Sequence, residues 1–428
     1  MSDRVISDSW IREYLRFTEN TESPSMFHLW VGLSTIASVL DRDVYADQGF
    51  FKVYPNLYII LIAGSQECRK SSAIGYGEKL LRKLPNPPNM VSQKMTPESF
   101  IEAIQPDARQ NESGVVSMKS TATVLAHELS VFITRDSYKS GLIALLVDLY
   151  DCKPDGIPWS YRTKKRGIEE VYNNCINILG GSSPEYLRIS LPMDEIGGGF
   201  TARTIMVYQQ KPEKRVPFPE FTDNHRIMEE KLIKDLHTMS KLKGGMSWTK
   251  EAREWYKSWY LERNLDDLPW GLDAYYVKKA EHLISVSTIL SVAESSNLVL
   301  DIVHLQAALE IMEENERLMP LAFEGLLPSE SGQDTQKVIE SIISLHQVSG
   351  MGAKRSLLLK RLWKYGVDSQ YLSQIVDTLE QAGVIKSVSL PGGGIAYVPT
   401  KELATQTRGQ PSSSKEDSMG NNEEVSKS

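Results

Sequence analysis

The pattern of apolar and polar residues changes along the chain and predicts helices interspersed with buried strands. Residues 57–63 are apolar without interruption, which is typical of a strand covered on both faces of a parallel sheet. Further strand candidates follow at 122–126, 176–179 and 204–208, and residues 72–84 have the periodicity of a helix. Strands that alternate with helices predict an α/β fold on a mainly parallel sheet.

Helical periodicity dominates on either side of this region. Trp10, Tyr14 and Phe17 recur at helical spacing, and between 224 and 323 the strand pattern disappears. Residues 335–400 predict three helices and a hairpin, which is the layout of a winged helix. The sequence therefore predicts five segments: an N-terminal helical lead-in at 1–48, a core at 49–222, a helical lid domain at 223–327, a winged helix at 335–400 and a disordered tail at 401–428.

Composition sets limits on these segments. The chain has 428 residues, of which 41% are hydrophobic, and this is enough for more than one core. We expect a cytoplasmic protein with no membrane partner, because long apolar runs are absent and the first residues do not resemble a signal peptide. The cysteines and histidines lack metal-binding spacing, and the net charge of −7 leaves a nucleic-acid partner undecided.

The residues after the first buried strand carry the pattern of a phosphate-binding loop. Gly64, Lys70 and Ser71 match G-x-x-x-x-G-K-[ST], whereas Arg69 stands where a second glycine is usual. In this motif backbone N–H groups surround the phosphates, the lysine neutralises them and the hydroxyl ligates Mg²⁺. The alternative is an ordinary strand–loop–helix with a surface lysine. The predicted triphosphate-binding residues are Gly64, Ser65, Gln66, Glu67, Cys68, Arg69, Lys70, Ser71 and Ser72.

Other stretches of the chain repeat, in order and spacing, those of a known family. They are 54–58, 64–72, 95–98, 128–130, 142–151, 178–185 and 199–203. The chain resembles phage- and plasmid-encoded P-loop ATPases, a domain of unknown function often fused to primase-polymerases, in which a loop ending in Arg-Lys-Ser/Thr is a known variant. The resemblance implies an AAA+/RecA-like core that binds ATP and Mg²⁺, and the lid with its winged helix is similar in layout to minichromosome maintenance helicases.

The resemblance also implies catalytic roles at the ends of two predicted strands. Glu128 would activate water and hold Mg²⁺ through water, while His127 occupies the position of the usual metal-side aspartate. Ser182 and Ser183 would sense the γ-phosphate. The plain alternatives are a surface glutamate and a polar turn. The sequence shows no Ser/His/Asp or Cys/His nucleophile arrangement, which excludes hydrolases other than those of nucleoside triphosphates.

Two basic positions resemble groups that contact phosphate from other parts of a ring. Arg203 follows three glycines and is similar to an arginine finger, which stabilises transition-state charge in the neighbouring subunit. Lys278, or Lys279 beside it, resembles a second sensor that contacts phosphate from the lid. Basic residues that simply face solvent are the alternative in both places.

Residues 159–171 predict a hairpin with a basic tip, and such a hairpin projects into the channel of hexameric AAA+ helicases. Its predicted DNA-binding residues are Arg162, Lys164, Lys165 and Arg166, which suit contact with phosphates of single-stranded DNA. A solvated charge run is the alternative. The winged helix carries further basic residues that serve either DNA or protein contacts: Lys354, Arg355, Lys360, Arg361 and Lys364.

Together these features predict an ATP-dependent, hexameric DNA helicase in the replication of a phage or mobile element. Its expected partners are single-stranded DNA, copies of itself and a separate primase, polymerase or loader. Two alternatives stay open at this point. One is an ATP-regulated loader or recruitment factor without unwinding activity, and the other is a DNA- or protein-binding module that a nucleotide stabilises.

Overall fold

A computed structural model gives the fold of two compact units, Met1–Leu327 and Pro328–Ser428. The residues that the structure describes are 4–64, 67–92, 94–105, 107–110, 116–134, 140–163, 167–191, 198–266, 268, 271–324, 329–350, 352–363, 367–381, 383–390 and 394–400. The predicted tail at 401–428 lies outside them.

The first unit alternates strands and helices over most of its length. Its helices are α1 (Trp10–Thr18), α2 (Ser25–Leu40), α3 (Lys70–Arg82), α4 (Pro97–Ala103), α5 (Leu129–Phe132), α6 (Leu142–Tyr150), α7 (Pro184–Ser190), α8 (Gly199–Arg203), α9 (Asp223–Met239), α10 (Lys250–Glu262), α11 (Asp273–Glu294), α12 (Ile302–Glu316) and α13 (Met319–Glu324). Its strands are β1 (Val44–Asp47), β2 (Lys52–Val53), β3 (Tyr58–Ile62), β4 (Met90–Val91), β5 (Asp107–Gln110), β6 (Val116–Lys119), β7 (Thr121–Ala126), β8 (Trp159–Thr163), β9 (Gly167–Val171), β10 (Cys175–Ser182), β11 (Thr204–Tyr208), β12 (Gly244–Trp248) and β13 (Val299–Leu300).

A five-stranded parallel sheet forms the centre of this unit, in the order β11-β3-β10-β7-β4. Every residue of β3 is buried, as its uninterrupted apolar run predicts for a strand with neighbours on both sides and covered faces. The prediction of an α/β fold on a parallel sheet is confirmed. Because the strands are parallel, all of them end at one edge of the sheet, the carboxyl edge, and begin at the other, the amino edge.

The N-terminal helices share their hydrophobic core with the sheet and with the segment after residue 222. Trp10 stacks on Tyr14 at 5.2 Å between ring centroids, and both side chains are fully buried. Arg4 forms a buried ion pair with Asp235 of α9, at 2.7 Å. The predicted lead-in and lid are therefore packed into the same compact unit as the core.

The predicted lid contains strands, and the expectation that strand structure is absent between 224 and 323 is wrong. The strands β12 and β13 extend a second sheet of order β13-β12-β1-β2, in which Val44 pairs with Gly244. These strands have five and two residues, and β12 begins with two glycines, so no apolar alternation marks them in the sequence. One of the two strands that pair with β12 is β1, which lies far away in the sequence.

Two antiparallel hairpins precede strands of the central sheet and so lie toward its amino edge. The hairpin β8–β9 pairs Trp159 with Val171 and agrees with the prediction, whereas β5–β6 was not predicted. The N–H of Ser120 donates to the carbonyl of Tyr172 at 2.8 Å, which joins the bases of the two hairpins.

The second unit has its own hydrophobic core, formed by α14 (Ser329–Ser349), α15 (Arg355–Leu362), α16 (Ser369–Gln381) and an antiparallel sheet. The sheet has the order β14-β16-β15, with strands β14 (Ala353–Lys354), β15 (Ile385–Ser389) and β16 (Ile395–Pro399). Within the described residues of both units, no helix combines the length and apolar character needed to cross a membrane.

The close approach of α2 and α3 gives a test of how the lead-in packs. A Cβ atom at Gly77 would lie 2.7 Å from Val31 Cγ1 and from Thr35 Oγ1, whereas one at Gly75 meets only His127 at 3.8 Å. Gly77→Ala should lower the free energy of unfolding by about 1–3 kcal/mol, because overpacking outweighs the gain in helix propensity. Gly75→Ala is the control and should be neutral or stabilising in urea denaturation. Equal stability of the two variants would contradict this packing.

Candidate functional site

The loop between β3 and α3 takes an unusual backbone conformation. Cys68 and Arg69 both have positive φ, at 57° and 47°, in the left-handed region that glycine tolerates best. For a residue with a side chain this conformation costs about 1–2 kcal/mol. Ser65 and Gln66 lie outside the described residues, so the loop is described at its two ends.

Lys70 is the first residue of α3 and is 7% exposed. Its Nζ atom donates to the carbonyl oxygens of Ala63 and Gly64, each at 2.9 Å. Burial lowers the pKa of Lys70, and the nearby carboxylate of Glu128 opposes that shift. The ammonium group is thus folded over the end of β3, inside the loop.

Four other residues near Lys70 in the sequence belong to the same region. The carboxylate of Glu67 lies against Gly64, where an added side chain would collide with it. Burial raises the pKa of the Cys68 thiol to about 11, so the thiol is neutral at physiological pH. Ser71 and Ser72 are exposed on the first turn of α3.

Reciprocal contacts join Ser71 to the end of β7. The Ser71 hydroxyl donates to the carbonyl of His127 at 3.2 Å, and His127 Nδ1 lies 3.1 Å from the carbonyl of Ser71. His127 Nε2 lies 2.6 Å from a carboxylate oxygen of Glu78, two turns further along α3. The residue in the usual metal-acid position is therefore tied to α3, and Glu78 was not predicted as part of the site.

The carboxyl edge of the sheet brings together most of the predicted catalytic residues. Glu128 follows β7 as the exposed N-cap residue of α5. Ser182 ends β10 opposite Ile62, and is 1% exposed. Ser183 caps α7, where its hydroxyl accepts from the N–H of Tyr186 at 3.2 Å. Ser183 thus has a structural role as a helix cap, in agreement with the alternative that residues 182 and 183 form a polar turn.

Arg203 and Lys278 lie together at the amino edge, away from Lys70. Arg203 immediately precedes Thr204, which pairs with Tyr58 at the start of β3. At about 3.3 Å per residue, the six-residue separation of Tyr58 and Gly64 puts this position roughly 20 Å from Gly64. Within one chain, therefore, neither Arg203 nor Lys278 meets a ligand held by Lys70.

Asp151 joins the two cations. It forms an ion pair with Arg203 and another with Lys278 at 2.8 Å, while the ring of Tyr150 lies 5.8 and 5.7 Å from the two charged groups. Burial would raise the pKa of Asp151, but the hydrogen bonds from Arg203 and Lys278 outweigh burial and hold that pKa below its ordinary value. Asp151 was not predicted as a site residue, because an acidic residue at the end of a helix matches no functional motif in the sequence.

His282 fixes α11 against this cluster. Burial lowers the pKa of His282 to about 4, so its ring is neutral. Its Nε2 atom donates to the carbonyl of Ala202 at 3.1 Å, and its Nδ1 atom accepts from the Tyr150 hydroxyl at 3.1 Å. Lys279, the alternative to Lys278, is instead held in a buried ion pair with Glu316 at 2.7 Å.

The basic hairpin is ordered by aromatic contacts at its base. Trp159 stacks on Tyr161 at 5.8 Å between ring centroids, and the Tyr161 hydroxyl donates to Glu98 at 3.1 Å. Arg162 is exposed and pairs with Ile168 across the hairpin. The other three predicted DNA-binding residues, Lys164, Lys165 and Arg166, lie outside the described residues.

Asp151 gives a test of the amino-edge cluster. Asp151→Asn should lower the free energy of unfolding at pH 7 by about 1–2 kcal/mol, a modest figure because the carboxylate is 43% exposed. Since the pKa is depressed, this stabilisation is present above the unfolded value of about 3.9 and is lost as pH falls through the folded pKa. Urea unfolding should therefore show a smaller difference from wild type at pH 3.

Asp8→Asn is the matched control, since Asp8 and Arg12 form an exposed pair in which the side chains are 48% and 62% accessible. Its effect should stay within about 0.5 kcal/mol at either pH. A pH-independent loss in Asp151→Asn would contradict the ion-pair account.

The carboxyl edge thus offers a lysine, a hydroxyl, a carboxylate and a helix N-terminus, and the amino edge offers two cations around Asp151. Among the described residues, no group of three or more His, Cys, Asp or Glu side chains is arranged to hold a metal ion by itself. No protein-family model matches the chain, and no curated protein matches it.

Proposed function

We propose that the chain is an ATP-dependent, hexameric DNA helicase or translocase with an AAA+/RecA-like core, acting in replication of a phage or mobile element. One observation carries the proposal. A fully buried strand ends at Ile62, two residues before Gly64, and α3 begins at Lys70 with the ammonium folded into the loop. Glu128 and Ser182 lie at the same edge, where open α/β sheets bind their ligands.

A triphosphate suits the groups at this edge. The first N–H groups of α3 lack helical partners and carry the positive end of the helix dipole, beside the ammonium of Lys70. For Mg²⁺ the chain offers the Ser71 hydroxyl directly and Glu128 through water, and Mg²⁺ commonly takes its other ligands from phosphate and water. Mg²⁺–ATP would supply the transferable phosphoryl group and neutralise its developing charge.

The residues of the chain have distinct tasks in hydrolysis. Lys70 would exchange its two carbonyl acceptors for phosphate oxygens, and the Ser71 hydroxyl, which now donates to the carbonyl of His127, would be the group available to hold Mg²⁺. Glu128 orients the attacking water and accepts its proton. The buried Ser182 hydroxyl donates to the γ-phosphate or to the water. Glu67, as a carboxylate against Gly64, must move aside from the incoming phosphates.

Completion of the site requires a second subunit. Arg203 and Lys278 face away from the phosphate loop of their own chain, and a head-to-tail ring brings the amino edge of one subunit to the carboxyl edge of the next. There both cations would stabilise transition-state charge. Asp151 bridges the two cations and Glu281 forms a further ion pair with Lys278 at 2.6 Å, so these carboxylates offset the repulsion between the cations.

Single-stranded DNA is the proposed track of this motor. The hairpin β8–β9 carries the exposed Arg162 near stacked aromatic rings, and its sequence contains three further basic residues; basic and aromatic residues together suit binding of phosphates without reading sequence. The second unit, with three helices and a hairpin, is interpreted as the winged helix. A separate primase, polymerase or loader is the expected protein partner.

A slow nucleotide switch, such as a loader, is the second candidate. His127 favours it, because the residue at the usual metal-acid position is bonded to Glu78 and Ser71 instead of offering a carboxylate. A strand-displacement assay separates the candidates: DNA-stimulated ATP turnover without unwinding supports the loader. Tight ATP binding with no turnover supports a third interpretation of the chain, in which nucleotide only stabilises a binding module.

Mixing two inactive variants tests the shared site. Lys70→Ala should abolish ATP binding, and Arg203→Ala should bind ATP but lose about 10³-fold or more in turnover. In mixed rings, about a quarter of the sites combine an intact Lys70 with a neighbour's intact Arg203, so activity should return on mixing. DNA-stimulated phosphate release measures the outcome.

Arg226→Ala, which changes an exposed arginine of α9, is the control and should behave as wild type. The proposal fails if mixing restores nothing while Arg203→Ala alone retains turnover. It also fails if the protein stays monomeric with DNA and ATP and Lys70→Ala leaves turnover unchanged.

The hairpin predicts a separate effect on DNA. Lys164→Ala combined with Lys165→Ala should weaken binding of labelled single-stranded DNA, and reduce the slope of log affinity against log salt by about 1.4. ATP turnover without DNA should be unchanged. Lys231→Ala with Lys234→Ala removes two exposed charges from α9 and serves as the control. An unaltered salt slope in the hairpin variant would exclude these phosphate contacts.

A further inference from the structure

Arg69 stands at the position where a phosphate loop usually has glycine, and its backbone is left-handed, with φ 47° and ψ 44°. Glycine adopts this conformation at little cost, whereas a residue with a Cβ atom does not. Because Arg69 precedes Lys70 directly, its backbone sets the direction of the first N–H groups of α3. The loop therefore needs contacts that hold Arg69 in place.

Two residues between α1 and α2 supply such contacts. The Ser23 hydroxyl donates to the carbonyl of Arg69 at 3.1 Å, and Arg69 Nε donates to a carboxylate oxygen of Glu22 at 2.9 Å. The same carbonyl of Arg69 accepts the first hydrogen bond of α3, from Ala73 at 3.1 Å. Ser23 is 5% exposed, so its hydroxyl has little competition from water.

Glu22 is itself held from a second direction. Its other carboxylate oxygen accepts from the N–H of Val216 at 3.2 Å, in the segment that follows β11. The hydrogen bond from Arg69, followed by that from Val216, lowers the pKa of Glu22. Cys68 also reaches this segment, through its thiol to the carbonyl of Gln209 at 3.8 Å. The left-handed pair is thus held between the lead-in and the chain after β11.

We propose that Glu22 and Ser23 are positioning residues for the phosphate loop, which hold Arg69 in the left-handed conformation needed for phosphate binding. This rests on the proposed nucleotide binding and deepens it. A glycine would adopt this conformation without help, whereas Arg69 needs the contacts from the segment between α1 and α2. Movement of α1 or α2 would alter these contacts and thereby change nucleotide affinity. Neither residue touches the ligand, and both act through Arg69.

A double-mutant cycle in the full chain tests this dependence. Binding of a fluorescent ATP analogue with Mg²⁺ is measured for Glu22→Gln combined with Ser23→Ala, with and without Arg69→Gly. In the Arg69 background the pair should weaken affinity about tenfold, equivalent to about 1.4 kcal/mol. With Arg69→Gly the same pair should change affinity less than about twofold, because glycine needs no support.

Glu19→Gln is the control, since it removes an exposed carboxylate three residues earlier and should leave affinity unchanged in both backgrounds. Equal weakening in the two backgrounds overturns the proposal, and so does no weakening in either. Failure of the wild-type chain to bind the analogue would count against the nucleotide function itself.

If the wild-type chain does not bind the analogue, amide hydrogen exchange in the absence of nucleotide still tests the positioning role of Glu22 and Ser23. Amides of residues 67–73 should exchange faster in Glu22→Gln with Ser23→Ala than in wild type, and the difference should vanish in the Arg69→Gly background. Unchanged exchange in the Arg69 background would overturn the proposal whether or not nucleotide binds.

Discussion

Parallel pairing of β3 with β10 and β11 is the constraint on which the rest of the first unit depends. The pairing buries every residue of β3, and it aligns Ile62 with Ser182 on one side and with Tyr208 on the other. Because parallel strands share a direction, their ends form one edge and their starts form another. A residue that follows one of these strands therefore lies at the carboxyl edge, and a residue that precedes one lies at the amino edge. The two edges are separated by the length of a strand.

This separation divides the chemistry of the chain between two edges. The carboxyl edge holds Lys70, Ser71, Glu128 and Ser182, where we propose that a nucleotide and its metal bind. The amino edge holds Arg203 and Lys278 around Asp151. No rearrangement of side chains within one chain joins the two groups, because the sheet itself lies between them. The ring that we propose would use both groups, by placing the amino edge of one copy at the carboxyl edge of the next.

The loop between β3 and α3 also depends on parts of the chain that are remote in sequence. Arg69 is held by Glu22 and Ser23, and Ser71 is held by His127. The close contact of Gly77 with α2 brings the lead-in against α3. The N-terminal helices therefore help to hold the loop in place. Their packing contributes to the stability of the left-handed backbone at Arg69, which a glycine at that position would adopt without such contacts.

The sequence by itself determined the parallel α/β core, the turn from β3 into α3 and the hairpin β8–β9, because each depends on residues close together in the chain. An apolar run followed by glycine and then by a helix is a local pattern, and so is a basic turn between short strands. Only the tertiary structure decided that Lys278 lies beside Arg203 at Asp151, that Glu78 pairs with His127, and that β12 pairs with β1. Those contacts join residues 49 to about 200 positions apart, and short-range periodicity contains no information on such distant partners.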